Sequence, residues 1–387
     1  MSILFNMFAT LILTAHLLCV DVAMMGPLAC ALLRRRATRL DDRLADRAGR
    51  CMVSLCLAAL LTAIALGLIS GLMLWFGSQR QFFEALGRIP ARRLYWGVAE
   101  LGFYFLCMVL YGALWEKWRR RTLLHGFLAI VAATNLIYHF PPLFVTINSM
   151  AATSDGNTSL LTISELRQLM FSPLILAHMT HHLVAAVACT AVCLMLVLRY
   201  VAAGQPKNPT ADDEAARSQL VRRSAIVALT VSLLQLPVGL GLLLQLTGMQ
   251  RDVIMGGDWI TTGMFVAAMV CVLALLHWLS MISLGQTERR DVIVVALLLV
   301  LVTALMTGVL RRIRSHEVAD RIRRAPSVVD PWGGEPAELK SSAFNSLFVR
   351  ARSCIPPASR CATTARADRQ RWCPVEGRRP GWRLCRR

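Results

Sequence analysis

Long apolar runs broken by short basic loops set the pattern of this chain. Eight such runs can be read, at about residues 3–33, 51–76, 93–115, 122–148, 172–200, 223–248, 259–284 and 291–310. Each is close to or above the roughly 20 residues that an α-helix, rising about 1.5 Å per residue, needs to cross a hydrocarbon core of about 30 Å. The runs do not alternate apolar and polar residues, which excludes an outer-membrane barrel. The pattern predicts an all-α fold: a polytopic transmembrane helix bundle of about eight spans. The first run is too long for a signal-peptide core and lacks a basic start, so it reads as a retained span.

Composition points the same way. The chain is 56% hydrophobic and 17% charged, whereas soluble domains carry roughly a quarter charged residues, so a soluble enzyme is excluded. The net charge of +19 resembles a nucleic-acid signal, but residues 311–387 hold 18 Lys+Arg against 7 Asp+Glu, more than half of the excess. Much of the rest sits in short loops, where basic residues orient membrane helices. Membrane lipid is therefore the expected partner, and nucleic acid is not.

The loop after the first span carries Arg34, Arg35, Arg36, Arg39, Arg43, Arg47 and Arg50. The loop after the third carries Lys117, Arg119, Arg120 and Arg121, and the loop after the fifth carries Arg199, Lys207, Arg217, Arg222 and Arg223. The alternate loops are poorer in basic residues. The positive-inside rule then puts the N-terminus outside a cell inner (cytoplasmic) membrane. Residues 1–310 are expected to form the bundle. Residues 311–387, rich in Arg, Pro and Cys and without apolar periodicity, are expected to be a disordered basic tail or the product of a shifted reading frame. Eight of the twelve cysteines lie in or beside apolar runs, where Cys behaves as a small hydrophobe. No CxxCH or CxxC pair is present.

Ionisable groups inside a bilayer cost several kcal/mol, so each needs a partner or a task. The spans contain His16 and Asp21 (first), Glu100 (third), His139 (fourth), His178, His181 and His182 (fifth) and His277 (seventh). A lone intramembrane histidine usually bonds a neighbouring helix. With the N-terminus outside, however, His16, Glu100, His139 and His181 all fall in the outer half of the bilayer, and that clustering predicts one buried site. His178, His181 and His182 are spaced i, i+3 and i+4 and share a helix face. Imidazole on such a face suits haem iron, with methionine a common partner where electrons are transferred. A closed zinc site needs about four ligands. A proton or ion path through Glu100, Asp21 and the histidines is the other physical reading.

Five segments resemble the cytochrome bd-type oxidase subunit I family. Ser172-Pro173, His178 and His181 fall on its Asn-Pro, basic and axial-His positions, and Leu13-Thr14-Ala15-His16-Leu17-Leu18 is similar to its first helix. Ala65-Leu66-Gly67-Leu68-Ile69-Ser70-Gly71 resembles its Ala-Leu-Gly-x-x-Thr-Gly segment, and Ala99-Glu100 falls on the first of two acidic positions. Trp259-Ile260-Thr261-Thr262-Gly263-Met264 keeps the step from Trp to the Met ligand. The resemblance covers roughly residues 1–285. It implies that His181 and Met264 ligate a low-spin haem b, and that His16 ligates a second, high-spin haem (b or d). It also implies that Glu100 tunes the second haem or supplies protons to it.

The departures are equally specific. The second acidic position is Met108, the Arg before the Met ligand is Thr262, and the Gln-rich segment is Leu74-Trp75-Phe76-Gly77-Ser78-Gln79. The connection between spans six and seven is only about Gly248–Asp258, where the family has a long quinol-binding loop, and the Gly-Arg-Gln-Pro-Trp stretch is absent. The resemblance thus implies an oxidoreductase that reduces oxygen or another small diatomic. Its electrons would come from a second membrane subunit or a periplasmic cytochrome rather than from quinol at that loop. A haem-free membrane transporter or a structural membrane subunit is the alternative that the residues leave open.

Overall fold

A computed structural model of the chain describes residues 3–76, 80–153, 159–201, 211–324, 373–374 and 382–383. In chain order the helices are α1 (Ile3–Leu40), α2 (Arg43–Phe76), α3 (Arg80–Gly87), α4 (Ala91–Ala113), α5 (Thr122–His139) and α6 (Pro141–Thr153). They continue with α7 (Ile163–Met170), α8 (Pro173–Leu196), α9 (Ala211–Leu244), α10 (Gly248–Asp252), α11 (Trp259–Ser283) and α12 (Arg289–Arg324). Eight segments are long and apolar enough to cross a membrane, with α5 and α6 together making one of them. The eight-span all-α bundle is therefore the architecture. Outward faces carry Leu11, Leu68, Leu240, Val270 and Leu297, each more than half exposed, and only hydrocarbon suits such surfaces. This is a multi-pass membrane protein in contact with lipid.

α1 lies at the centre and packs along α2, α5, α8 and α12. The contacts are lined by small residues, among them Ala23, Cys30, Ala45, Ala48, Cys56, Ala132, Ala186 and Ala225, which let helix backbones approach closely where no hydrophobic effect drives association. Within α1, Pro27 has no N–H to give the Ala23 carbonyl one turn earlier. The buried Tyr104 hydroxyl of α4 donates to that carbonyl instead, at 2.6 Å.

Local chemistry sets the helix ends. Asp41 takes a left-handed φ of 48°, a conformation Asp tolerates better than most residues. Asp42 then accepts from the Ala45 N–H at 2.9 Å and starts α2. Gly285, at φ 120°, closes α11, with the Gln286 N–H reaching back to the Met281 carbonyl in the manner of a Schellman cap. Capping boxes at Thr162/Glu165 and Thr247/Gln250 start α7 and α10.

The Arg-rich connections gather at one end of the bundle. There Arg34 bonds Asp46 and the Trp115 carbonyl, Arg50 bonds Asp46 and Glu116, and Arg119 bonds Asp41. Arg199 pairs with Glu214, and Arg222 donates to the Ser283 carbonyl. At the other end α3, α6 and α7 pack into a small apolar cap around Ala85, Leu143, Ile147, Leu166 and Met170. Exposed Phe76, Tyr95, Trp96 and Trp259 also lie at this end, a distribution typical of the membrane–water interface.

α12 continues past Leu310 to Arg324, so the bundle extends beyond the expected boundary at residue 310. The apolar pattern stops there, but the basic residues that follow have partners. Arg312 pairs with Asp258 at 2.8 Å, Arg314 donates to Asn148 at 3.0 Å, and His316 lies 3.5 Å from Asp258. Burial works against the Asp258 charge, yet hydrogen bonds from Thr261 and Arg312 hold its carboxyl down at about 2. The stability it contributes is therefore present above its ordinary value of 3.8 and is lost as pH falls through about 2. A chain ending after Arg324 is expected to melt like the full chain. One ending at Leu310 should be less stable by about 2 kcal/mol, because Asp258 loses its charged donor. Thermal melts of the two detergent-purified proteins at neutral pH check this.

Gly77, Ser78, Gln79, Lys207 and most of the expected tail lie outside the described residues. The exception in the tail beyond α12 is a separate two-residue antiparallel pair, β1 (Cys373–Pro374) with β2 (Trp382–Arg383).

Candidate functional site

The intramembrane polar residues form two groups. In the first, Glu100 Oε1 of α4 lies 3.2 Å from His139 Nε2 of α5, both half-buried. Asn135 of α5 fixes the register of the two helices by donating to the Glu100 carbonyl at 2.9 Å. These two residues, expected in the outer half of one bilayer, do meet.

The second group joins α1, α2, α8 and α9. His16 Nδ1 lies 2.8 Å from the Ala63 carbonyl of α2. A carbonyl can only accept, so Nδ1 carries the proton and Nε2 keeps its lone pair. Gly67, one turn along α2, makes this approach possible: a Cβ there would come 3.0 Å from His16 Cε1. His182 Nε2 lies 3.6 Å from Asp21 Oδ1 on α1 and within electrostatic reach of His16. Asp21 is buried, and its backbone carbonyl accepts from Thr190 of α8 at 3.3 Å.

His181, one residue earlier on α8, turns to α9. Gln235 donates to the His181 carbonyl at 3.0 Å and sits 3.4 Å from its Nε2. His181 Nδ1 and Gln235 Oε1 are both buried without a hydrogen-bond partner. Gly239, one turn beyond Gln235, faces the ring and would set a Cβ 3.5 Å from Cε1. His178 is occupied differently, with its Nδ1 donating to its own helix at Leu174, 2.9 Å away.

Met264 of α11 rests its methyl group on Gly308 of α12, beside Val309 and Ile313. Each of the three ligand positions implied by the family resemblance (His16, His181 and Met264) is thus backed by a glycine on a neighbouring helix. Met264 and His181 reach these glycines on different helices, and no described contact joins the two side chains. Nor does any join Glu100–His139 to His16 among the described residues. Met108, at the family's second acidic position, is fully buried in the core.

The sequence reading did not single out His125. Its ring is stacked on Tyr111 at 3.8 Å and its Nε2 donates to the Tyr111 carbonyl at 2.8 Å, near the basic end. That is a packing role. Its only signal in the sequence was proximity to Tyr111, Trp115 and Trp118.

A haem needs one or two axial side chains with a free lone pair, in a largely apolar bundle. His16 meets that requirement through the Ala63 hydrogen bond, the arrangement that fixes the tautomer of metal-ligating histidines. His181 differs: its Nε2 faces the Gln235 amide nitrogen at 3.4 Å, so iron could take that lone pair only if Gln235 moved aside. A metal held by three or more His, Cys, Asp or Glu side chains has no candidate cluster among the described residues.

No family model matches the sequence, and no curated protein matches it. Among solved structures, the bd oxidase from Geobacillus thermodenitrificans is similar, with a TM-score of 0.57 over 90% of this chain and 93% of that chain, at 14% sequence identity. At that identity the likeness is one of fold.

Proposed function

We propose that this protein is a haem-carrying electron-transfer subunit of the bd-oxidase type, working in the cell inner membrane with its N-terminus outside. The observation that carries the reading is His16. It sits on the first span of a bd-oxidase-like bundle, its Nδ1 proton committed to the Ala63 carbonyl and its Nε2 available. When bound, haem would supply one-electron transfer and, where one axial position stays open, capture of oxygen or another small diatomic.

The chain's own residues would do the rest. His16 would hold a high-spin haem (b or d) from one side. His181 and Met264 would hold a low-spin haem b; the three rotatable bonds of Met264 allow it to leave Gly308. Glu100 and His139, 3.2 Å apart, can hold and exchange a proton between Oε1 and Nε2. Asp21 and His182 form a comparable pair deeper along α1. The compact connection through α10 favours electrons from a second membrane subunit or a periplasmic cytochrome over quinol.

The test is the absorption spectrum of the detergent-purified full chain with and without dithionite. A Soret band and a reduced α-band are expected, and a colourless protein from haem-replete cells would refute the reading. Met264→Ala should retain the Soret band while converting the low-spin signal to a high-spin one. The paired carboxylates and histidines also suit a haem-free proton-coupled transporter, which has no Soret band in any state.

A further inference from the structure

At the basic end, α1, α8 and α9 enclose a groove of about 640 Å³ that takes no part in the histidine sites. Its floor is apolar, with Met25, Leu28 and Leu32 of α1 facing Val187 and Leu194 of α8 and Val227 of α9. Its charged lining consists of Arg35, Arg36 and Arg39 on α1 and Arg223 on α9, with no carboxylate. Arg36 is committed to Asp42 at 2.7 Å. Arg35, Arg39 and Arg223 are exposed and have no partner among the described residues. This sets them apart from Arg34, Arg50, Arg119, Arg199 and Arg217 at the same end, each of which meets a carboxylate.

The charge also lies at a consistent depth. Along α1 the positions Met25, Leu28, Leu32, Arg35 and Arg39 recur at helical spacing, so one face passes from apolar to cationic as it nears the end of the bundle. Along α9 the same change runs from Val227 to Arg223, one turn apart. Two helices thus turn from hydrocarbon-like to guanidinium at one level, which matches the polarity of a phospholipid lying along them.

We propose that this groove binds an anionic phospholipid, with an acyl chain on the α1/α8 floor and its phosphate between Arg35, Arg39 and Arg223. Three guanidiniums with no opposing carboxylate suit a phosphate, which accepts paired N–H donors. Basic pockets between membrane helices are a known setting for such headgroups. A neutral quinone-like headgroup would leave the three charges unmatched, and a soluble phosphate would leave the apolar floor bare.

The test is native mass spectrometry of the full chain in an uncharged detergent, titrated with phosphatidylglycerol or phosphatidylcholine. Phosphatidylglycerol should bind preferentially. The triple variant R35Q/R39Q/R223Q should weaken it roughly 100-fold, at about tenfold or less per lost charge. K117Q/R120Q/R121Q removes the same charge from the same end, away from the groove, and should leave binding unchanged. Ala29→Phe fills the floor without altering charge and should also weaken binding, and glycerophosphate should not compete. Equal binding of phosphatidylcholine, an equal loss in the control variant, or displacement of the lipid by glycerophosphate would each overturn the proposal.

Discussion

His181→Ala is expected to erase the low-spin α-band of the reduced protein, while His182→Ala retains it. The two residues are adjacent, yet their surroundings differ. His181 faces Gly239 and Gln235 with its Nδ1 unpartnered, whereas His182 is turned to Asp21 at 3.6 Å. If the low-spin haem hangs from His181, its removal should reduce that band to background, since a thioether alone holds iron weakly. Gly239→Val provides a subtler arm, because the added side chain presses on the Cε1–Nδ1 edge of the ring, leaves the imidazole itself in place and should shift the band rather than remove it. A spectrum lost in His182→Ala and kept in His181→Ala would move the ligand by one position and undo the assignment. Difference spectra of equal amounts of membrane-inserted protein decide between these outcomes.

Arg34→Ala should cost about 3 kcal/mol of stability, in the range found when one partner of a buried ion pair is removed. Arg34 is 2% exposed and donates to Asp46 at 2.9 Å and to the Trp115 carbonyl, while its guanidinium lies 4.7 Å from the Trp115 ring centroid. The Trp115 Nε1–H reaches the same Asp46 oxygen at 2.9 Å. One side chain therefore ties α1, α2 and the end of α4 together. Arg50 stays with Asp46 at 2.7 Å, which keeps the loss from being larger. Arg120→Ala, an exposed change at the same end, should stay within about 0.5 kcal/mol. Equilibrium unfolding in mixed detergent micelles measures both, and equal stabilities would show that the network is ornamental.

The eight spans were legible because their signal is long and one-dimensional: a run of apolar residues needs no knowledge of its neighbours. The same holds for the basic loops, whose residues meet at one end. Pairings between helices were only partly legible. Glu100 and His139 could be placed at similar depth, but their contact depends on the rotation of α4 against α5, which no spacing rule supplies. The glycines behind His16, His181 and Met264 were invisible for the same reason. Gly67 stood in a recognised segment, but its role facing His16 exists only across two helices. The break at Phe140–Pro141 was read through because residues on both sides are equally apolar. α3 and α7, each of eight residues, are too short to show a period. The end of α12 was misplaced because arginine counts against a span, although Arg312 and Arg314 find partners on α6 and at the start of α11.

The bond between Tyr104 and the Ala23 carbonyl has a consequence for how this chain can change over generations. Pro27 is tolerable in the middle of α1 because a hydroxyl on another helix takes over the donor role that proline cannot fill. A phenylalanine at 104 would strand a carbonyl in hydrocarbon, while a non-proline at 27 would make the hydroxyl redundant. The two positions, 77 apart in sequence by their own numbers, are therefore bound to a shared history. Proline can be lost first and the tyrosine relaxed afterwards, but the reverse order passes through a damaged protein. Among descendants of this chain, tyrosine at 104 should outlast proline at 27 and never the other way round.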